Sequence, residues 1–230
     1  MNITQLFAKK LANYDSQTSL GSKFRLRRVE PLLEMIQSVY QQHGQVTIID
    51  VGGTRQYWNI LPLDYFEQYN ISVTLVNFPG TVTLKDDKHF VFIETDGTDL
   101  ANFADQAFHI GHSNSVVEHV GDWDRMVRFA EEISRVSQKL FVQTPNYWFP
   151  IEPHCMTPFF HWLPKPLRVW LVLHFKLGHW PKATTVSEAV RTVESARLLD
   201  KKMYQALFEH SDIVTERFFL LPKSFVVIKK

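Results

Sequence analysis

Three residue groups in this chain have the types and spacing to hold a ligand that carries a nucleoside. The run TIIDV contains Asp50, and Gly52-Gly53 follow it directly. Without a Cβ, that pair lets the backbone turn sharply and approach a ligand closely, at the position where open α/β sheets bind nucleotides. The run SVTLVNF delivers Asn77, whose amide can bond ribose hydroxyls, and Phe78, whose ring can cover an adenine face. In ETDGTD, Asp96 stands beside the flexible Gly97 and can accept from an adenine amino group. Its competing role is to cap a short helix beginning near Thr98. A glycine pair alone also suits a tight turn that binds nothing. The agreement of three run ends is what favours a ligand.

A second set follows. Glu118-His119 is a candidate general-base pair, because an imidazole titrates near neutral pH; the alternative is a local hydrogen-bonding role at a helix start. Residues 145–180 crowd aromatics, prolines and four histidines (154, 161, 174, 179) after the run LFVQTP. Tyr147, Trp148, Glu152 and His154 come first in that stretch. They are expected to line a largely apolar acceptor pocket, with Glu152 and His154 as its polar handles. A helix over 165–177 that sets Lys165, Arg168 and Lys176 above Leu167, Trp170, Leu171 and Leu173 is a second reading, as a membrane-surface contact. A helical cap completing the core is a third. The histidines show no HExxH spacing, so no metal site is expected. Cys155, the single cysteine, reads as a small core residue.

The elements that must position these groups are legible from periodicity. Val29, Leu32, Leu33, Ile36 and Val39 recur at helical spacing over 24–42, with Pro31 expected in the first turns and His43-Gly44 as the end. Short apolar runs at 46–51, 72–78, 90–95, 107–113 and 140–145 read as buried strands. Helices are expected at 122–137, 187–197 and 201–209, capped by Asp122, Ser187 and Asp200. Such alternation predicts an α/β fold with a mostly parallel sheet and helices on both faces. At the end of the chain, 212–220 and 224–230 are joined only by Leu221-Pro222-Lys223, too short for a crossover, so they must pair as an antiparallel hairpin.

Composition bounds the function. With 25 basic and 24 acidic side chains the formal net charge is +1, which offers no general field for nucleic acid. The basic cluster Lys23, Arg25, Arg27 and Arg28 reads as a solvated helix face, and no nucleic-acid partner is expected. One cysteine and no run of ~18 apolar residues fit a soluble protein of the reducing cytoplasm, with peripheral membrane contact through 165–177 as the qualification. The whole of 1–230 reads as one domain, with N-terminal helices over 1–43 and a lid insertion over 146–186.

Taken together, DVGGT, LVNF, ETDGTDL, SNSVVEHVG and FVQTPN resemble the class I S-adenosylmethionine-dependent methyltransferases, and look closest to the bacterial type 11 branch. The resemblance implies a Rossmann-like, seven-stranded sheet whose last strand is antiparallel, with S-adenosyl-L-methionine across the ends of strands one to four. By position it implies that Asp50, Gly52 and Gly53 hold the methionine end and Asn77 the ribose. Asp96 and Gly97 would contact adenine, while Ser113 and Asn114 would lie beneath the sulfonium. Thr54-Arg55-Gln56 stand where the family has further glycines, and Asn77 where it has an acidic residue. Methyl transfer to a small or lipid-linked acceptor, at oxygen, is the implied activity. A scaffold that kept the fold without catalysis and a nicotinamide-dependent oxidoreductase are the rivals, the latter opposed by the terminal hairpin and the absence of GxGxxG. On these residues alone, Gly52→Val is expected to fold without binding the cofactor, and Asn77→Asp to bind it at least as tightly.

Overall fold

Apolar side chains alternate along the inner strands of the sheet, which feed two cores at once. In a computed structural model, residues 20–80 and 86–229 are described, those over 20–28 by their backbone only. The basic cluster at 23–28 and Lys230 therefore lie outside the described side chains. Helix α1 (Leu20–His43) leads into β1 (Val46–Val51), followed by short helices α2 (Arg55–Trp58) and α3 (Leu63–Gln68). Strands β2 (Ile71–Asn77), β3 (Phe90–Glu94) and β4 (Phe108–Asn114) come next, then helix α4 (Trp123–Val136) and β5 (Ser137–Pro145). The sheet order is β3-β2-β1-β4-β5, all parallel, extended by β9 (Leu221–Lys229) and then β8 (Asp212–Phe218). Strand β9 runs antiparallel to both neighbours.

On one face, Val29, Leu32, Ile36 and Val39 of α1 join Trp58, Phe66, Ile48, Leu75 and Phe141. On the other, Met126, Phe129 and Ile133 of α4 pack with Ile49, Val76, Val142 and Tyr204. Ile48 and Ile49 thus point to opposite cores from adjacent positions. Each fully buried side chain of this size contributes about 1.5–3 kcal/mol relative to exposure.

Local chemistry sets most helix starts. Asp122 caps α4 by accepting from the Arg125 N–H, and Asp200 caps α7 (Lys201–Leu207) by accepting from Met203. The cap of helix α6 (Val186–Glu194) lies two residues before the expected one: Thr185, not Ser187, accepts from the Glu188 N–H, and the Glu188 carboxylate accepts from the Thr184 N–H. That reciprocal pair satisfies two donors that a cap at Ser187 would leave open. Because α1 starts at Leu20, Pro31 sits mid-helix rather than in the first turns, and one intrahelical hydrogen bond is missing there. No helix forms at Thr98; the Asp96 side chain accepts from the Thr98 N–H and closes a turn. The terminal hairpin turns at Phe219-Leu220, earlier than expected, with Phe219 at φ 53°. A register shift absorbs Lys223 and places Pro222 beside the irregularity, where its missing N–H breaks no regular ladder.

Between β5 and α7 lies the lid. It contains a two-residue hairpin, β6 (Ile151–Glu152) with β7 (Thr157–Pro158), and helix α5 (Lys165–His174). Cys155, Phe160, Val172, Ala183, Ala189 and Val193 form its own small core, which carries the lid's packing past residue 186 into α6. Among the described residues, no helix is long and apolar enough to cross a membrane.

Helix α7 is held to the sheet by one buried polar contact, the Tyr204 hydroxyl donating to the Val142 carbonyl at 2.8 Å. Tyr204→Phe keeps the ring and removes only that bond. It should lower unfolding free energy by about 1 kcal/mol, read as an earlier urea midpoint at unchanged slope.

Candidate functional site

The carboxyl ends of the parallel strands gather the expected residues. At the end of β1, Gly52 adopts φ 75°, a conformation that favours glycine, and its N–H donates to the Val76 carbonyl of β2. A Cβ at Gly52 would also stand 2.5 Å from Val116. At Gly53 a Cβ would overlap the Asp50 carboxylate. The glycine pair is therefore required by packing, whatever ligand it holds.

Asp50 faces inward. It is fully buried, and its two oxygens take hydrogen bonds from Trp58 Nε1 (2.7 Å) and His112 Nδ1 (2.6 Å). Its geometry supports the glycine turn from below. Ser113 is likewise fully buried, its hydroxyl donating to the Val51 carbonyl across the β1–β4 pair. Gly97 packs so closely that a Cβ would meet Val51 at 2.6 Å.

Asn77, Phe78, Asp96 and Asn114 reach the rim. Asn77 Nδ2 donates to the Gly53 carbonyl at 3.0 Å, which pins the turn to β2. Phe78 is 59% exposed, and Asn114 is half-buried at the end of β4. Asp96 accepts from the Thr98 backbone and hydroxyl and from Arg125 Nη2 at 2.7 Å. Partial burial acts against its charge, but the Arg125 guanidinium and Thr98 outweigh it and hold the carboxyl below its usual range. A carboxylate has roughly four acceptor sites, so one is left for a ligand.

A second cluster joins the turn after β4 to the lid. Glu118 is 1% exposed; burial pushes its carboxyl up to about 7. One of its oxygens accepts from the Thr144 hydroxyl at 3.0 Å, and the other has no hydrogen-bond partner. His119 Nδ1 lies 2.7 Å from the Ser195 carbonyl, and its Nε2 lies 2.9 Å from Nε2 of His154. Partial desolvation holds His119 below the usual imidazole range. On the other ring, desolvation is outweighed by the carboxylate of Glu152, 2.6 Å from Nδ1, and His154 is held above that range. Glu152 is itself buried; despite that, the bond to His154 holds its carboxyl low. Both partners of His119 are thus in place, and neither ring nitrogen is an open base.

The acceptor residues separate. Tyr147 and Glu152 line a cavity of about 300 Å³ under the lid, with Phe160, His161 and Trp180 as ring walls and Lys165, Arg168 and Arg197 as cationic ones. Trp148 is 62% exposed, its ring against Tyr147 and Trp162. The wall is more charged than the aromatic-rich sequence implied, because Phe159 and Trp162 turn outward while α5 contributes Lys165 and Arg168. Cys155 is fully buried, and burial raises its thiol to about 12, as suits a core residue. The sequence places Arg168 on the cationic face of its helix but not in a cavity wall, and carries no signal for Arg197.

No protein-family model matches the chain, and no curated protein matches its sequence. Its structure is similar to that of a SAM dependent methyltransferase from Archaeoglobus fulgidus, with a TM-score of 0.54 over 99% of this chain and 100% of that one, at 11% identity. An O-methyltransferase family protein from Burkholderia thailandensis gives a TM-score of 0.49 at 12% identity, covering 96% of this chain and 66% of that one. The chain carries the Rossmann-like fold of the class I methyltransferase structures, with its seven-stranded, mostly parallel sheet and reversed β9.

Two substitutions are expected to behave differently from what the residues alone implied. Gly52→Val meets both the left-handed backbone and Val116, and should cost about 3 kcal/mol or more of stability; a chemical denaturation curve matching that of the natural chain would remove the packing argument. Asn77→Asp replaces the donor to Gly53 with an oxygen that repels its carbonyl. It should lower stability by about 1–3 kcal/mol and loosen the turn, seen as faster hydrogen exchange at 52–54.

Proposed function

We propose that this chain binds S-adenosyl-L-methionine at the carboxyl ends of β1 to β4 and transfers its methyl group to an oxygen of a small or lipid-linked acceptor. The observation that carries the reading is the strand order β3-β2-β1-β4-β5-β9-β8 with β9 reversed, matched over the full length of a structure titled a SAM dependent methyltransferase. A dinucleotide dehydrogenase closes its sheet with parallel strands instead.

The residues present fit such a cofactor. Gly52-Gly53 bring backbone to the crevice without side chains. Among the described residues no donor reaches the Asn77 side-chain oxygen, which is left to accept from a ribose hydroxyl while its nitrogen holds Gly53. Phe78 offers an exposed ring to adenine, and Asp96 one remaining acceptor site. Asp50 and Ser113 support the binding turn from within the sheet rather than touching the ligand. The cofactor supplies a methyl already activated by a sulfonium leaving group. The protein's task is then alignment, which can account for much of the rate.

The acceptor is proposed to enter the cavity beneath the lid, its apolar part against Phe160 and Trp180 and an acidic or polar group toward Arg168 and Arg197. Helix α5 walls this cavity while exposing Leu167 and Trp170, with Phe175 just beyond. A lipid chain or bilayer surface lying on that outer face would leave the headgroup beside the cavity. The Glu118–His119–His154 cluster adjoins Glu152 in the cavity wall and would receive the reacting oxygen.

Calorimetric titration with S-adenosylmethionine, S-adenosylhomocysteine and NAD tests the reading. Equimolar binding of the first two, with dissociation constants on the order of micromolar, and none of NAD is expected. Binding of NAD alone would replace the proposal with an oxidoreductase; binding of none would leave a scaffold.

A further inference from the structure

We propose that Glu118, His119 and His154 form a site for one divalent transition-metal ion of the zinc class, with a coordination position open to an oxygen donor. Each of these side chains offers one ligand atom, and the three atoms lie within 4.8 Å of one another. Two imidazoles and a carboxylate are the donor set that borderline divalent cations select, with room for a further ligand.

With both rings neutral, the hydrogen positions leave a place for a cation between them. The Ser195 carbonyl can only accept, so the hydrogen of His119 is on Nδ1. On His154, Nδ1 faces one oxygen of Glu152, whose other oxygen already accepts from the Cys155 N–H at 2.7 Å. Nδ1 therefore donates there too. Both Nε2 lone pairs are then turned toward each other at 2.9 Å. A positive centre between them, a proton or a metal ion, relieves that approach. Two ligands at ~2.1 Å from one tetrahedral ion lie about 3.4 Å apart, so the rings would part by roughly 0.5 Å from the 2.9 Å spacing to admit it.

Glu118 gives an independent reason. Its unpartnered oxygen is buried, and an unpaired buried carboxylate oxygen is costly. A cation shared with the two rings removes that cost. The outer partners complete the arrangement: a backbone carbonyl and a buried carboxylate fix the two Nδ1 atoms, as they do around bound metals. Adjacent residues 118 and 119 and a third 35 positions on do not form an HExxH spacing, so the sequence alone led to the expectation of no metal site, from which this proposal departs. Glu118 and His119 belong to the turn after β4 and His154 to the lid, so the ion would clamp the lid to the sheet. An acceptor hydroxyl or carboxylate in the open position would be polarised by it.

This inference rests on side-chain geometry and not on cofactor binding. The test is titration of chelator-treated, full-length protein with Zn²⁺ and with Co²⁺, followed by calorimetry, visible absorption and thermal unfolding. One ion per chain, a Kd on the order of micromolar or tighter, a Co²⁺ d–d band and a Zn²⁺-dependent rise in Tm are expected. His119→Ala and His154→Ala should each weaken binding at least ~100-fold, and Glu152→Gln, a positioning variant, ~10–100-fold. Circular dichroism confirms that each variant is folded; His119 is exposed, so its substitution leaves the core intact. Equal Zn²⁺ affinity in the folded His119→Ala/His154→Ala variant would place the ion on others of the 10 histidines and overturn the proposal. So would no Zn²⁺ binding tighter than about millimolar, which would leave a shared proton between the rings. Parallel titration with S-adenosylmethionine separates the two readings, since loss of either leaves the other standing.

Discussion

The two buried hydrogen bonds to Asp50 join β1, α2 and β4 at the base of the glycine turn. The Asp50 carboxyl group lies near the carboxyl end of β1, fully buried, and draws in Trp58 from α2 and His112 from β4. Buried polar groups are costly unless every lone pair and hydrogen is matched, so this one dictates its surroundings. Gly53 must lack a side chain to clear the carboxylate. Trp58 must close back under β1, which keeps α2 short and tight against the sheet. His112 stacks on Phe141 of β5, linking the hub to the next strand.

Above the hub, the crevice is built by residues that first serve the fold. Asn77 ties the glycine turn to β2, and Asp96 ties the end of β3 to α4 through Arg125. Each retains an acceptor for a ligand after that work is done. An amide suits position 77 because it donates to the Gly53 carbonyl, which a carboxylate cannot do.

The lid follows different logic. It has a small core of its own, separate from the two that flank the sheet. It meets the sheet through the Asn146 amide, which donates to the Pro222 carbonyl of β9, through the Phe149 ring against Phe218 of β8, and through the His119–His154 contact after β4. A unit with its own packing can present its cavity wall, Lys165, Arg168 and Phe160, apart from the crevice at the strand ends.

The sequence by itself determined the architecture, because its signals are local. Alternating apolar runs placed β1 and β2, the Asp122 and Asp200 caps placed α4 and α7, and a connection of a few residues forced the terminal strands into a hairpin. The cap of α6 was missed because Thr185 and Ser187 are equivalent as residue types, and only the reciprocal bond from Glu188 distinguishes them. The candidate site was legible as a set of strand ends, but not in the roles of its members. Asp50 and Ser113 turned inward, and the Asn77 amide was committed to Gly53, through partners 62 and 24 residues away. The meeting of Glu118 and His119 with His154 was likewise decided by tertiary structure alone. Periodicity and capping are set within a turn or two of chain, whereas a side chain's partner depends on how separate elements dock.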